Sequence, residues 1–158
     1  ENSLLIHKHL IVRADINNPP KDVDYLKTWM EDFIKFINMK VMLGPYVAYC
    51  DKPGNRGITA ISVIETSHIA MHVWDEPNPA LMQLDIYSCS EFNPYLISDK
   101  LKKDFAVNKL DIYSCAEFNP YLISDKLKRD FHCTKIDYKF LNRETGLKPI
   151  ILNKQYVV

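Results

Sequence analysis

The sequence predicts an α+β fold, a two-layer α/β sandwich with a mainly antiparallel sheet, and three observations carry that reading. Strand-like segments follow one another with only turns between them, one clear amphipathic helix stands in the first third, and a strand–helix unit is written twice in the second half. Strands joined by short turns pair antiparallel, and a sheet that buries one face needs helices to cover it. At 158 residues the chain is read as a single domain, 1–158, long enough to bury a real core.

The elements follow in order. Residues 7–16 (HKHLIVRADI) alternate around a Leu-Ile-Val centre and read as a strand, broken by Asn17 to Pro20. Val23, Leu26, Met30, Phe33, Ile34 and Ile37 then recur at helical spacing, which predicts an amphipathic helix over about 22–38. Residues 40–50 read as a strand with Gly44-Pro45 as its weak point, and residues 51–57 (DKPGNRG) as a turn. Residues 58–74 hold about two strands' worth of extended chain, and residues 75–80, which include Pro77 and Pro79, form a loop.

Residues 84–109 and 110–135 are near copies, matching at 21 of 26 positions. Each reads as a strand, LDIYSC, followed by a helix from about Pro94 or Pro120, since proline suits a first helical turn. Two copies do not make a solenoid. Identity this close points to a recent tandem duplication or to an error of sequence assembly. The link contains a helix, so it is long enough for a parallel crossover, and a genuine duplication lets the sheet grow by one strand.

Charge and composition exclude several function classes. Twenty basic and twenty acidic residues cancel, so neither a nucleic acid nor a membrane surface is expected as a partner. No apolar run approaches the roughly 18 residues of a membrane span. The first residues, ENSLLIHKHL, lack the basic and long apolar regions of a signal peptide, and the chain starts at Glu1 rather than methionine, as a fragment or processed form does. Cys50, Cys89, Cys115 and Cys133 show no CxxC spacing, so a reducing cytoplasm is the expected location.

The chemistry-bearing residues concentrate in 57–76, GITAISVIETSHIAMHVWDE. His68, His72, Trp74 and Glu76 share parity and would face one side of an unbroken strand, whereas Ser67 would reach that side only through a bulge or chain reversal. A histidine pair at i and i+4 suits a metal, but even with His7 and His9 no cysteine or carboxylate stands at ligand spacing, so no metal is expected. Singly, each residue has a structural reading: Trp74 as core, Cys89 and Cys115 as small buried apolar side chains.

As an ordered set, Thr59, Ser67-His68, His72, Trp74, Glu76 and then Asp85-Ile86-Tyr87-Ser88-Cys89 resemble the prokaryotic S-adenosylmethionine decarboxylase proenzymes. The likeness covers about residues 8–93, with KHLIV similar to that family's first strand. Decarboxylating an amino acid needs an electron sink, which no side chain supplies well. The resemblance implies that Ser67 becomes a pyruvoyl cofactor after self-cleavage between Thr66 and Ser67, with His72 and Thr59 assisting. It further implies that Trp74 stacks on the adenine, Glu76 holds the ribose and Cys89 protonates the α-carbon; thiols ordinarily keep their proton at neutral pH. The expected product feeds spermidine synthesis, and the expected assembly is a homodimer. Cys115 is the second candidate for the proton donor, if the first repeat copy is a looped-out insert.

One departure stands out. The family's pattern is Glu-Ser-His, whereas this chain reads Glu65-Thr66-Ser67-His68, and a one-residue displacement within a strand moves the carboxylate to the other face. Two other readings stay open on the sequence: a pyruvoyl-dependent decarboxylase of ornithine or arginine, and an unprocessed regulatory homologue without activity.

Overall fold

Strand and helix positions follow the predicted order closely. The computed structural model describes residues 8–112, 141–142 and 148–149. In the first compact unit, β1 (Lys8–Ile16), α1 (Val23–Phe36), β2 (Val41–Cys50), β3 (Gly57–Ile64), β4 (Ser67–Trp74), β5 (Ala80–Ser88), α2 (Pro94–Phe105) and β6 (Val107–Ile112) follow one another. The six strands form one sheet in the order β2-β3-β4-β5-β1-β6, with every neighbouring pair antiparallel. The expected α+β sandwich with a mainly antiparallel sheet is what the chain forms. In the second unit, β7 (Leu141–Asn142) pairs antiparallel with β8 (Lys148–Pro149).

Alternation divides the sheet into a covered and an open face. On β4, Ile69, Met71 and Val73 are buried, while His68, Ala70, His72 and Trp74 lie on the other side. On β5, Ala80, Met82, Leu84, Ile86 and Ser88 are buried, and on β1 Leu10, Val12, Ala14 and Ile16. These rows form one core with Leu26, Met30, Phe33 and Ile34 of α1 and Ile97, Leu101 and Phe105 of α2. Both helices therefore close the same face. Asp22 caps α1 by accepting the Tyr25 N–H at 2.6 Å, and Asn93 caps α2 by accepting from Tyr95 at 2.9 Å, with Pro94 in the first turn as predicted.

The first repeat copy supplies the second half of β5 and all of α2. The second copy begins inside β6. Leu84, Asp85 and Ile86 pair with Val12, Ile11 and Leu10 on one edge of β1, and Leu110, Asp111 and Ile112 with Ala14, Arg13 and Val12 on the other. Because β5 and β6 both run antiparallel to β1, they are parallel to each other, joined by the helical crossover that the repeat predicts. The helix expected from Pro120, with Cys115 and Cys133, lies outside the described residues.

The two helices meet through Trp29. Its ring stacks on Phe33 and tilts against Phe105, each at 4.8 Å between centroids, and its Nε1–H donates to Asp104 at 2.8 Å. Lys100 donates to the same carboxylate oxygen at 2.6 Å. Burial alone would raise the Asp104 pKa, but the hydrogen bonds from Lys100 and Trp29, with the charges of Lys100 and Lys103, outweigh it and hold the carboxyl below its ordinary range. A carboxyl depressed in the folded state stabilises the fold above the unfolded-state pKa of about 3.9 and loses that contribution as pH falls through the folded value. Asp104→Asn should therefore lower stability at neutral pH by about 1 kcal/mol in urea denaturation, and the deficit should close as the pH falls below the ordinary carboxylate range and through the lowered folded-state pKa. A deficit that stays constant through the acid range would assign it to shape rather than charge.

Candidate active site

The β3–β4 hairpin turns through Glu65 and Thr66, with Ile64 paired directly to Ser67. Two-residue hairpins usually place positive φ on the loop residues. Here it falls on Ser67, at φ 136°. Among the described residues, the other non-glycine positions with positive φ are Asn38 (59°) and Ala106 (51°), both left-handed and both just beyond a helix. Ser67 lies outside that basin, a conformation that typically costs about 1–3 kcal/mol and persists only where the surroundings enforce it. Pairing to Ile64 on one side and Ser88 on the other enforces it. The sequence reading set Glu65 and Thr66 within a strand; both lie in the turn, so strand parity does not decide where the Glu65 carboxylate points.

Around this turn three hydrogen bonds converge. The Thr66 carbonyl accepts the Cys89 backbone N–H at 2.9 Å. The Ser88 hydroxyl, fully buried, donates to the Thr66 hydroxyl at 3.0 Å and accepts the Ser90 N–H at 3.0 Å. Cys89 is a free, half-buried thiol. A main-chain donor on the Thr66 carbonyl oxygen polarises the carbon that a serine hydroxyl would attack and meets the charge that develops on the oxygen. Next to it, His68 stacks on Tyr87 at 5.7 Å, and His9 meets the other side of that ring edge-on at 5.6 Å.

A second cluster occupies the far end of β4. Thr59 and His72 are cross-strand partners, with Oγ1 and Nδ1 3.0 Å apart. The His72 ring lies 6.0 Å from Trp74, whose Nε1–H donates to Asn55 Oδ1 at 2.9 Å. Glu76 accepts the Gly54 N–H at 3.1 Å and stands 3.9 Å from the Arg56 guanidinium. The turn 51–57 thus holds both residues expected to grip a nucleoside. Asp75, between them, accepts from the Tyr49 hydroxyl at 2.8 Å, and that bond raises the Tyr49 pKa. A shallow polar depression of about 380 Å³ adjoins Glu76 and is walled by Asn17, Asn18, Lys21 and Asp75; Trp74 is not in its wall.

The structure brings Ser67 to Cys89 and Thr59 to His72, but it does not bring the two pairs together. His72 is five positions from Ser67 on a continuous strand, about 16 Å at the usual rise. His68, His72 and Trp74 do share the open face, whereas Glu76 follows the end of β4 and owes its place to the turn 51–57. Sequence reasoning named Tyr87 and Ser88 only as part of the motif ending at Cys89 and gave no role to them or to the turn residues Gly54 and Asn55. For Ser88 a signal existed, since its parity puts a hydroxyl in the buried row of β5. Among the described residues, no group of three or more His, Cys, Asp or Glu side chains is placed to hold a metal ion, and no helix is long and apolar enough to cross a membrane.

A family model described as S-adenosylmethionine decarboxylase matches residues 8–110. The chain belongs to the S-adenosylmethionine decarboxylase family. The match to that decarboxylase model takes in all of the first repeat copy, Cys89 included, and ends at the first residue of the second. Decarboxylation of S-adenosylmethionine is the family's chemistry, and both clusters fall within the matched residues.

Gly57 is what lets β3 pack closely against the Trp74 end of β4. A Cβ built there would sit 1.7 Å from the Val73 carbonyl oxygen. Gly57→Ala should therefore cost more than about 3 kcal/mol by chemical denaturation, at the severe end for a single substitution, and should shift Trp74 fluorescence in whatever fraction folds. A fully stable, spectroscopically unchanged variant would contradict this packing.

Proposed function

We propose that this chain is a self-processing, pyruvoyl-dependent S-adenosylmethionine decarboxylase, cut between Thr66 and Ser67, whose product serves spermidine synthesis. The observation that supports it most is the strained Ser67 backbone beside a Thr66 carbonyl held on the Cys89 N–H. In the cleavage, Ser67 Oγ attacks the Thr66 carbonyl carbon, the C–N bond breaks, and the hydroxyl proton goes to the Ser67 nitrogen, leaving an ester. Loss of the Ser67 α-proton then expels Thr66 as a carboxylate, and water replaces the nitrogen as ammonia. Relief of the positive φ favours the first step.

The residues present fit a pyruvoyl group at position 67, and such a group supplies the electron sink that decarboxylation requires. Cys89, adjacent to the cleavage point, is the proposed donor of the proton returned to the substrate α-carbon. Trp74 offers an aromatic face to the adenine, or to the sulfonium by cation–π attraction, and Glu76 a carboxylate to the ribose hydroxyls. His72, partnered by Thr59, is the proposed acid–base group for processing.

At about 16 Å from Ser67, the His72 of the same chain is out of reach. A homodimer resolves this. The open sheet face carries exposed Leu43, Tyr46, Ile61 and Val63 beside His68 and Ala70, the kind of apolar patch that marks an interface. In the proposed dimer two copies stack on this face about a two-fold axis perpendicular to β4, which runs the two β4 strands in opposite directions and sets the Ser67 end of each against the His72 end of the other.

The competing reading of an unprocessed regulatory homologue is favoured by Thr66 in place of the family's glutamate and by the duplicated unit. Intact mass under denaturing conditions separates the two. We expect chains 1–66 and 67–158, the latter with a blocked N-terminus; a single full-length chain after prolonged incubation would refute processing. The shared site has its own test. Ser67→Ala and His72→Ala chains should each stay uncut alone, whereas co-refolded they should cleave the His72→Ala chain. Failure of the mixture, with dimers present, would place the whole site in one chain.

A further inference from the structure

We propose that Ser88 is a positioning residue for the self-cleavage, its buried hydroxyl locking the Thr66 side chain and the 88–90 backbone so that the Cys89 N–H stays on the Thr66 carbonyl. This rests on the reading that the Thr66–Ser67 bond is cut. Ser88 closes a β5 row that is otherwise apolar, after Ala80, Met82, Leu84 and Ile86, and is fully buried. A hydroxyl placed there without partners is unfavourable. Ser88 Oγ has both kinds of partner: it accepts the Ser90 N–H and donates to Thr66 Oγ1, each at 3.0 Å. The chain of bonds runs from the Ser90 N–H through the Ser88 hydroxyl to Thr66.

The geometry gives this chain a task beyond satisfying a buried group. Ser88 is the register partner of Ser67, directly across the β4–β5 ladder from the nucleophile's own backbone. Its bond to the Ser90 N–H curls the chain back at the end of β5, and the residue inside that curl is Cys89, whose N–H meets the Thr66 carbonyl at 2.9 Å. Its bond to Thr66 fixes the other partner. Side chain and main chain of Thr66 are thus both held by residues 88–90. The donor to the developing oxyanion comes from a loop, where a backbone N–H drifts unless something pins it, and the Ser88 hydroxyl is the pin.

The test follows self-cleavage by mass after refolding each variant from denaturant. Ser88→Ala should slow the first-order rate at least about tenfold, which corresponds to about 1.4 kcal/mol. Thr66→Val should slow it similarly, the double variant no more than the slower single, and Ser88→Thr should restore most of the rate. A folded Ser88→Ala cutting at the parent rate, or losses that multiply in the double variant, would overturn the proposal. A second readout does not depend on cleavage. In a Ser67→Ala background, adding Ser88→Ala should speed hydrogen exchange of the Cys89 and Ser90 amides at least about tenfold while the mid-strand amides of β4 and β5 stay protected. Unchanged exchange would likewise overturn it. If the parent never cleaves but the exchange responds, the processing reading fails and takes the role in cleavage with it, while the pinning of the 88–90 backbone by the Ser88 hydroxyl stands. If Ser88→Ala does not fold, Thr66→Val, made at a half-buried turn position, carries both measurements.

Discussion

The whole arrangement depends on β4 being held between β3 and β5 along its full length. Ser67 through Trp74 pair residue by residue with Ile64 through Gly57 on one side and with Ser88 through Leu81 on the other. A strand fixed at both edges cannot slide, so a conformation imposed at one end is not relaxed by drift at the other. That is why the positive φ of Ser67 can persist where an isolated hairpin would shed it. The same double pairing sets Thr59 opposite His72 and Ser88 opposite Ser67. The placement of the candidate site residues is thus a consequence of one register, and a one-residue slip would move each of these side chains to the opposite face of the sheet.

Much of this was legible in the sequence because strands and helices announce themselves by period. The heptad-like spacing from Val23 to Ile37 and the alternation in β1 and β5 follow from burying one face, so apolar patterning reports them directly. The role of the turn 51–57 was not legible. Its composition says only that the chain bends, whereas its grip on Trp74 and Glu76 arises from contacts across the loop, through Asn55 and Gly54. The convergence on Thr66 was hidden for a related reason. A backbone N–H leaves no mark in a sequence, and Ser88 reads as an ordinary strand residue until the register places it beside Ser67.

The duplication tests how strictly that register is specified. From Leu84 onward the two copies are nearly identical in sequence, so copy identity alone does not choose which one enters the sheet as β5. The residues just upstream do. Met82, two positions before the first copy, is fully buried and pairs with Ala14, and the corresponding residue before the second copy is Asn108. Sliding the second copy into the β5 position would bury an amide where a thioether packs, at about 1–3 kcal/mol for the unsatisfied group in addition to the lost apolar burial. The first copy therefore holds the position, with Cys89 beside Thr66, and Leu110 to Ile112 are left to extend the sheet beyond β1.

Among the described residues the sheet is closed by helices on one face and carries none on the other, which makes it half of a sandwich. In most folds the bare face is polar and its side chains are incidental. Here it carries both His68 and the Thr59–His72 pair together with exposed Leu43, Tyr46, Ile61 and Val63, so the candidate site residues and the exposed apolar patch coincide. Completing the sandwich with an identical half would exclude water from His68 and from the Thr59–His72 pair and raise their electrostatic effect, because such effects strengthen as the local dielectric falls. It would also make cleavage contingent on assembly. A monomer carrying a strained serine would then hold its peptide bond intact until a second chain supplied the histidine, so that the fold and its oligomeric state jointly time the making of the cofactor.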